Sequence, residues 1–541
     1  MPQPPATPED ILIQGALVID GTGAPGHRTD VALRDGRIAA VGDDITAGGA
    51  RVIEARGLVV APGFIDIKTH SDFTLPLMPQ AESKVRQGVT TEVIGHCGFS
   101  VAPALPGKAE ALARYLGPSA PWLDFRETSF AEYAAGYPPT SVNVAMLVGH
   151  NTLRLMAMDM EDRPPEAAEL DHMKELLAEA LAAGALGLSS GLFTAPGSYA
   201  GGEELVELGH LLKRHGGRYF THLRDESNGV FDAFAEAAEF GARTGVHVQI
   251  VHMKLSGTDN WGGAGRLLKA LAAARRRGGA IDCDAYPYTA ASNPLVNLLP
   301  AWLQEGGVDA MLARLGEKDV RARLAEHVEA HGLNNFGRIP SWDAVRVSIS
   351  PNLPGNAGRT IADMARQGGT EPFAAALDYI VADRGQTRVL VTSMSEDDVG
   401  AFVASPDVLV GSDGNSVAPD GVTGQGRPHP RFYGTFARIL GHYVRDLGLL
   451  SLEDAIRKMT GATATALGIA DRGVLGVGTR ADVTIFDAAR IAERATYKDP
   501  HRYAEGISTV IVNGQPVFED GAHTGALPGH VLGRDPAADA P

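Results

Sequence analysis

Between Gly63 and Gly414 the sequence returns eight times to a short apolar run: GFIDIK (63–68), TTEVIG (90–95), VNVAMLVG (142–149), ALGLSSG (185–191), GRYFTH (217–222), VHVQIVH (246–252), AIDCDAYP (280–287) and VLVGSDG (408–414). Each is of strand length, strand-like in its apolar content, and bounded by glycine or polar residues. Helical stretches separate them. In EAAELDHMKELLAEALAAGA (166–185), Leu170, Met173, Leu176, Leu177 and Leu181 recur at helical spacing, and Gly184 follows near the end. Strands alternating with helices in this way predict an α/β fold, a (β/α)8 TIM barrel whose helices pack on the outside.

Outward from the barrel, the first 60 residues have no helical period. ILIQGALVID (11–20), the Gly-rich GTGAPG (21–26) and DVALRDGRIAAVGD (30–43), with Asp35-Gly36 at a hairpin position, read as short strands. GVLGVGTRADVTIFD (473–487) and ISTVIVNGQPVFEDG (507–521), with Asn513-Gly514, repeat the style near the other end. The expected organisation is a small β-sandwich built from both ends (8–62 and 468–534) around a catalytic barrel (63–467). Residues 294–340 follow a strand-like run, are partly helical, and are expected to form a lid-like cap over the barrel mouth. The acidic, Pro-containing tail 535–541 is expected to be disordered.

Composition narrows the function classes. The chain has 541 residues, 44% of them hydrophobic, and a formal charge of −17 without a long basic cluster, which argues against nucleic-acid and anionic-membrane partners. It shows neither a signal-like opening nor a run of membrane-spanning length, so the expected location is cytoplasmic. Two cysteines, Cys97 and Cys283, make a disulfide framework improbable. A small-molecule partner is expected, with homo-oligomerisation open.

In a TIM barrel, chemistry sits where strands end. Lys68, His70 and Asp72 follow the first run, His96 and Cys97 the second, and His150 the third. His222, Arg224 and Glu226 close the GRYFTH run, His252 and Lys254 follow VHVQIV, Asp284, Tyr286 and Tyr288 follow AIDC, and Asp413 follows VLVGS. Taken singly, each has a packing or turn explanation. Titratable groups at seven strand ends together point to a metal or acid/base site. Cys283, one residue before Asp284, is expected to pack. A thiolate, two imidazoles and a carboxylate suit zinc, whose open fourth position can bring the pKa of water from 15.7 to about 7. Asp413 is the natural proton shuttle, because a hydrolysed amide needs its leaving nitrogen protonated.

The combination of APGFID-x-x-THSD, GHCGFS, YFTHLRDES, QIVHMK, DAYPY, GSDG, HPRFYGTF and KMTGATATALG-x-x-DRG, spread over about residues 8 to 534, resembles the N-acyl-D-amino-acid deacylases (D-aminoacylases) of the metal-dependent amidohydrolase superfamily. That resemblance implies zinc-dependent hydrolysis of a linear amide, with Cys97, His222 and His252 as the tight zinc site and Asp413 as catalytic acid/base. It further implies that Arg431 and Lys254, helped by Tyr286 and Ser292, hold the substrate carboxylate, a task that suits a guanidinium. His150 also matches a family position, where a structural hydrogen bond competes with a catalytic role.

The departures are as informative. The superfamily's barrel-opening H-x-H, which the resemblance assigns to a second, weaker metal position, here reads Lys68-Thr69-His70. A protonated ammonium has no lone pair for a metal. Lys68 is therefore expected to replace the second metal electrostatically, leaving one tightly bound Zn2+ and His70 as a further candidate ligand. The alternatives are an ion pair without other consequence, or a carbamylated lysine, which Cys97 makes redundant. His96 stands where Asn is usual and Phe193 where an aromatic hydroxyl is common, and the loop from Gly414 to His429 is lengthened, so the pocket's specificity is expected to have drifted. Two other functional readings compete: a cyclic amide or carbamoyl hydrolase of the same superfamily, and a catalytically silent member for which Lys68 is the evidence.

Overall fold

The computed structural model describes residues 10–533; the expected disordered tail, 535–541, lies outside them. All eight apolar runs are strands of one parallel sheet in strict sequence order: β1 Phe64–Asp66, β2 Val89–Ile94, β3 Asn143–Gly149, β4 Gly187–Gly191, β5 Arg218–His222, β6 Val248–Ile250, β7 Ile281–Ala285 and β8 Val408–Val410. The sheet closes into a (β/α)8 barrel through a parallel bridge from Thr69 to Gly414, just past the ends of β1 and β8. Ile65, Ile67, Val93, Ala145, Leu147, Phe220, Val251 and Leu409 form one cluster. Contributions from strands right around the sheet can meet only inside it, so the barrel interior is packed rather than open.

Closure is secured by charge. Lys84 Nζ donates to Asp66 Oδ2 at 2.7 Å and to Ser412 Oγ at 2.8 Å, while Ser412 N donates to Asp66 Oδ1 at 2.8 Å. Lys84 and Asp66 are fully buried. Outside the barrel, the helix Ala167–Ala182 begins with a capping box between Glu166 and Glu169 and buries Met173, Leu176, Leu177 and Leu181, the stripe its spacing anticipates.

Strands from both ends share a nine-stranded sheet beside the barrel. Val59–Pro62 pairs in parallel with Ile11–Val18 and antiparallel with Val483–Phe486, which continues through Ile507–Val512 to Gln515–Glu519. Ile11–Val18 has a bulge between Ile13 and Ala16, where Gly15 takes a positive φ of 71°. Its first half pairs with Arg51–Glu54 and its second with Val59–Pro62. That switch of partner bends one hydrogen-bonded sheet around a core of Ile11, Ile13, Val60, Val483, Ile485 and Ile511.

The segment between β7 and β8 is more elaborate than a cap at 294–340. The helices Val308–Leu315 and Lys318–His331 lie there, but flanking residues build a three-stranded antiparallel sheet of Ala290–Pro294, Arg388–Thr392 and Val345–Ile349. No helix among the described residues is long and apolar enough to cross a membrane.

Candidate active site

At the C-terminal mouth of the barrel, Cys97 Sγ lies 3.6 Å from His222 Nδ1 and 3.4 Å from His252 Nε2. All three side chains are buried. They come from the ends of β2, β5 and β6, and among the described residues they form a compact trio of metal-ligating type. The spacing can be tested against zinc. With Zn–S near 2.3 Å and Zn–N near 2.0–2.1 Å, tetrahedral ligands stand about 3.5 Å apart, so the trio fits that ion.

The backbone is bent to achieve this. Cys97, His252 and Asp413 all have positive φ, 56°, 39° and 51°, a conformation costing a non-glycine residue about 1–3 kcal/mol and persisting where surroundings enforce it. Gly191 is part of the enforcement: a Cβ there would fall 2.1 Å from the Cys97 carbonyl oxygen.

Behind the histidines stands Glu226, a residue the sequence placed near the site without a role. Its Oε2 is 3.1 Å from His222 Nε2 and its Oε1 is 3.0 Å from His252 Nδ1, so one carboxylate backs both rings on the edge away from Cys97. Asn335, from the inserted segment, lies 3.2 Å from His222 Nε2 and donates to Glu226 Oε2 at 3.1 Å. Burial lowers the pKa of both histidines, that of His252 to about 3 with Lys254 assisting, which keeps the rings neutral. Burial alone would raise that of Glu226, but His222, Lys254 and His252 hold it well below the usual carboxylate range. The outer nitrogen of each ring faces Glu226, with Lys254 Nζ also 2.7 Å from His252 Nδ1, while the inner nitrogens, His222 Nδ1 and His252 Nε2, point toward Cys97. Phe193 stacks on His222 with ring centroids 4.0 Å apart.

Asp413 lies between two cations. Arg431 Nη2 is 2.8 Å from its Oδ2, and Lys68 Nζ donates to its Oδ1. Burial would raise the Asp413 pKa, yet Arg431 and Lys68 outweigh it and keep the carboxyl ionised. Lys68 Nζ is also 2.7 Å from His70 Nε2, which places His70 against the lysine and outside the Cys97–His222–His252 trio. Burial, with Lys68 next, keeps the His70 pKa well below its ordinary value.

The remaining residues singled out in the sequence are distributed as follows. Lys254 lines the cavity but donates to Glu226 Oε1 at 2.6 Å. Tyr286 lines it with a buried hydroxyl that has no protein partner, and Arg431, behind Tyr286, leaves Nε and Nη1 unpartnered. Ser292 lines it and accepts a 2.9 Å hydrogen bond from Arg388 Nε. His150 is elsewhere: its Nε2 is 2.7 Å from Glu204, which also pairs with Arg154, a buried network tying two outer helices. Cys283 is fully buried in the apolar core. His96 packs edge-on against Phe220. Arg388, in the cavity wall, follows no barrel strand and carried no signal in the sequence.

A parallel eight-stranded barrel with cysteine and histidine donors and a carboxylate at its strand ends defines the class of barrel hydrolases that work with a bound metal. The chain belongs to the amidohydrolase family, whose model matches residues 51–518. It is 37% identical to the D-aminoacylase of Alcaligenes xylosoxydans xylosoxydans, over 99% of this chain and all of that one. It is 38% identical to the N-acyl-D-aspartate deacylase of the same organism, covering 97% and 95% of the two chains. Among solved structures, one of D-aminoacylase concerned with its binuclear metal centre, one-metal activation and second-metal attenuation, superimposes with a TM-score of 0.81 at 36% identity, covering 97% of this chain and 100% of that one. The N-acyl-D-glutamate deacylase of Bordetella bronchiseptica, complexed with zinc and a phosphonate mimic of the tetrahedral intermediate, also gives 0.81, at 35% identity over 97% and 99%.

Proposed function

We propose that the protein is a one-metal deacylase that hydrolyses the amide of an N-acyl-D-amino acid, releasing a carboxylate and the free amino acid. The observation that carries this reading is the juxtaposition of the Cys97–His222–His252 donor set with an ionised Asp413 at one cavity. The chain's similarity to a D-aminoacylase over nearly its full length supports it. When bound, zinc supplies Lewis acidity, polarising the acyl carbonyl and acidifying water. Asp413, kept ionised by Arg431 and Lys68, accepts the proton of the attacking water and passes it to the leaving nitrogen. The free hydroxyl of Tyr286, with Lys254 and Ser292 beside it in the cavity wall, receives the substrate carboxylate, and Arg431, whose unpartnered Nε and Nη1 lie buried behind Tyr286, adds positive charge from the rear.

Lys68 sets the metal count. Its ammonium occupies the ground between His70 and Asp413, so a second ion there would meet a fixed positive charge. Two unpaired cysteines, one of them needed as thiolate, accord with a cytoplasmic, reducing setting.

Metal analysis of the purified protein, together with hydrolysis of both enantiomers of an N-acyl amino acid panel, tests the reading. It expects one zinc per chain, turnover of D forms only, and a fall of about 10²–10⁴-fold in kcat in Asp413→Asn with zinc retained. Lys68→His is expected to raise occupancy toward two. Two metals in the unaltered protein would refute the mononuclear assignment, and full activity of Asp413→Asn would refute the proton path.

A further inference from the structure

The inserted three-stranded sheet brings a guanidinium to the cavity that the reaction above does not use. Arg388 opens the central strand, Arg388–Thr392, and its side chain lines the same cavity as Cys97, His252 and Asp413. Its Nε donates to Ser292 Oγ at 2.9 Å, its Nη1 to Ser119 Oγ at 2.7 Å and its Nη2 to the Ser292 carbonyl at 3.0 Å. These neutral oxygens from two different segments fix the plane of the group without neutralising it. No carboxylate among the described residues pairs with it, whereas every other cation at the site has one. Lys254 faces Glu226, and Lys68 and Arg431 share Asp413.

The charge count is lopsided. Four cations, Lys68, Lys254, Arg388 and Arg431, meet two carboxylates, Glu226 and Asp413. Burial, with Arg431 next, lowers the Arg388 pKa to about 10, so at neutral pH it stays charged. An ion held in a partly desolvated wall without a counter-charge is costly and is normally resolved by a partner. One substrate carboxylate, drawn toward Arg431 and Lys254, leaves Arg388 without a counter-charge of its own. A second negative group would supply it, and a guanidinium already oriented by three hydrogen bonds is suited to gripping one.

Building on the deacylase reading, we propose that Arg388 is a specificity-determining residue that selects N-acyl amino acids carrying a second carboxylate, on the side chain or on the acyl group.

The test compares N-acetyl-D-aspartate, N-acetyl-D-glutamate and N-succinyl-D-alanine with N-acetyl-D-leucine and N-acetyl-D-alanine, using the zinc-loaded protein and its Arg388→Met and Arg388→Lys variants. The expected result is a higher kcat/KM for at least one dicarboxylate than for either monocarboxylate. The dicarboxylate-to-monocarboxylate ratio should fall about 10- to 100-fold in Arg388→Met, mainly through KM, and partly recover in Arg388→Lys. Preference for the aspartate and glutamate compounds places the second carboxylate on the side chain, and preference for the succinyl compound places it on the acyl group. An equal loss on both classes in Arg388→Met, the mark of a strut holding Ser119 and Ser292, overturns the proposal, as does a wild-type preference for monocarboxylates. Calorimetric binding of the same compounds separates the two layers. If the wild type hydrolyses none of them, the deacylase reading fails. The Arg388 assignment then stands or falls on whether dicarboxylates bind more tightly and lose that advantage in Arg388→Met.

Discussion

Glu226 sets one oxygen near each histidine, with Lys254 and Asn335 also donating to it, and that arrangement has a measurable consequence. Outer-sphere carboxylates orient ligand rings and raise their basicity, and losing one typically costs about 10–100-fold in metal affinity. Glu226→Gln is therefore expected to weaken zinc by that order in a chelator competition while leaving Cys97, His222 and His252 intact. That Cys97, His222 and His252 come near one another was legible in the sequence because each directly follows an apolar run and strand ends converge in a barrel, but singling them out from the other strand-end residues rested on the family resemblance. Glu226 was visible four residues beyond His222, but its role was not, since backing a ring on another strand is a property of the closed barrel. Arg388 was invisible for a stronger reason: the residues it touches, Ser119 and Ser292, come from segments far apart in the chain. Lys68 was legible as a departure, yet only the fold shows its ammonium against both His70 and Asp413.

At the scale of elements, β1 and β8 meet with a single isolated bridge, so Lys84, Asp66 and Ser412 carry much of the closure. Removing one partner of a buried pair leaves the other charge uncompensated, at a cost of about 3–5 kcal/mol. Lys84→Met is expected to lose that much stability in denaturant titration, and Lys84→Met combined with Asp66→Asn to lose less, because the carboxylate bonded to Lys84 is gone and only Glu92, 3.7 Å away, is left facing the site. The eight barrel strands could be read from sequence because each is an apolar run with clear boundaries. The inserted sheet could not. Its strand Ala290–Pro294 has the sequence AASNP, with little β character, and it pairs with Arg388–Thr392 across the length of the insertion. Such pairing is decided by tertiary contact rather than local propensity. The cap accordingly read as a partly helical segment, without the sheet that flanks it.

For the molecule as a whole, the sheet beside the barrel joins residues from both ends of the sequence, and neither half has a complete core. A chain ending after residue 505 would lack Ile507–Val512 and Gln515–Glu519, and with them the buried Val510, Ile511, Val512, Val517 and Phe518. At about 1.5–3 kcal/mol per buried side chain, the loss is on the order of the 5–15 kcal/mol that holds a typical fold together. Such a truncation is expected to leave little soluble protein, and what remains should lack the near-ultraviolet circular dichroism of packed aromatics. That the two ends belong to one β-unit was legible from their matching hairpin signals at Asp35-Gly36 and Asn513-Gly514, although the bend at Gly15 was not. The pairing of Val59–Pro62 with Val483–Phe486 also sets a timetable. On the ribosome, the first of these strands emerges early and must wait for almost the entire barrel to be translated, tens of seconds at about 5–20 residues per second. Throughout that interval its apolar edge is open, so the nascent chain is vulnerable to mispairing at a strand that the finished enzyme buries along its whole length.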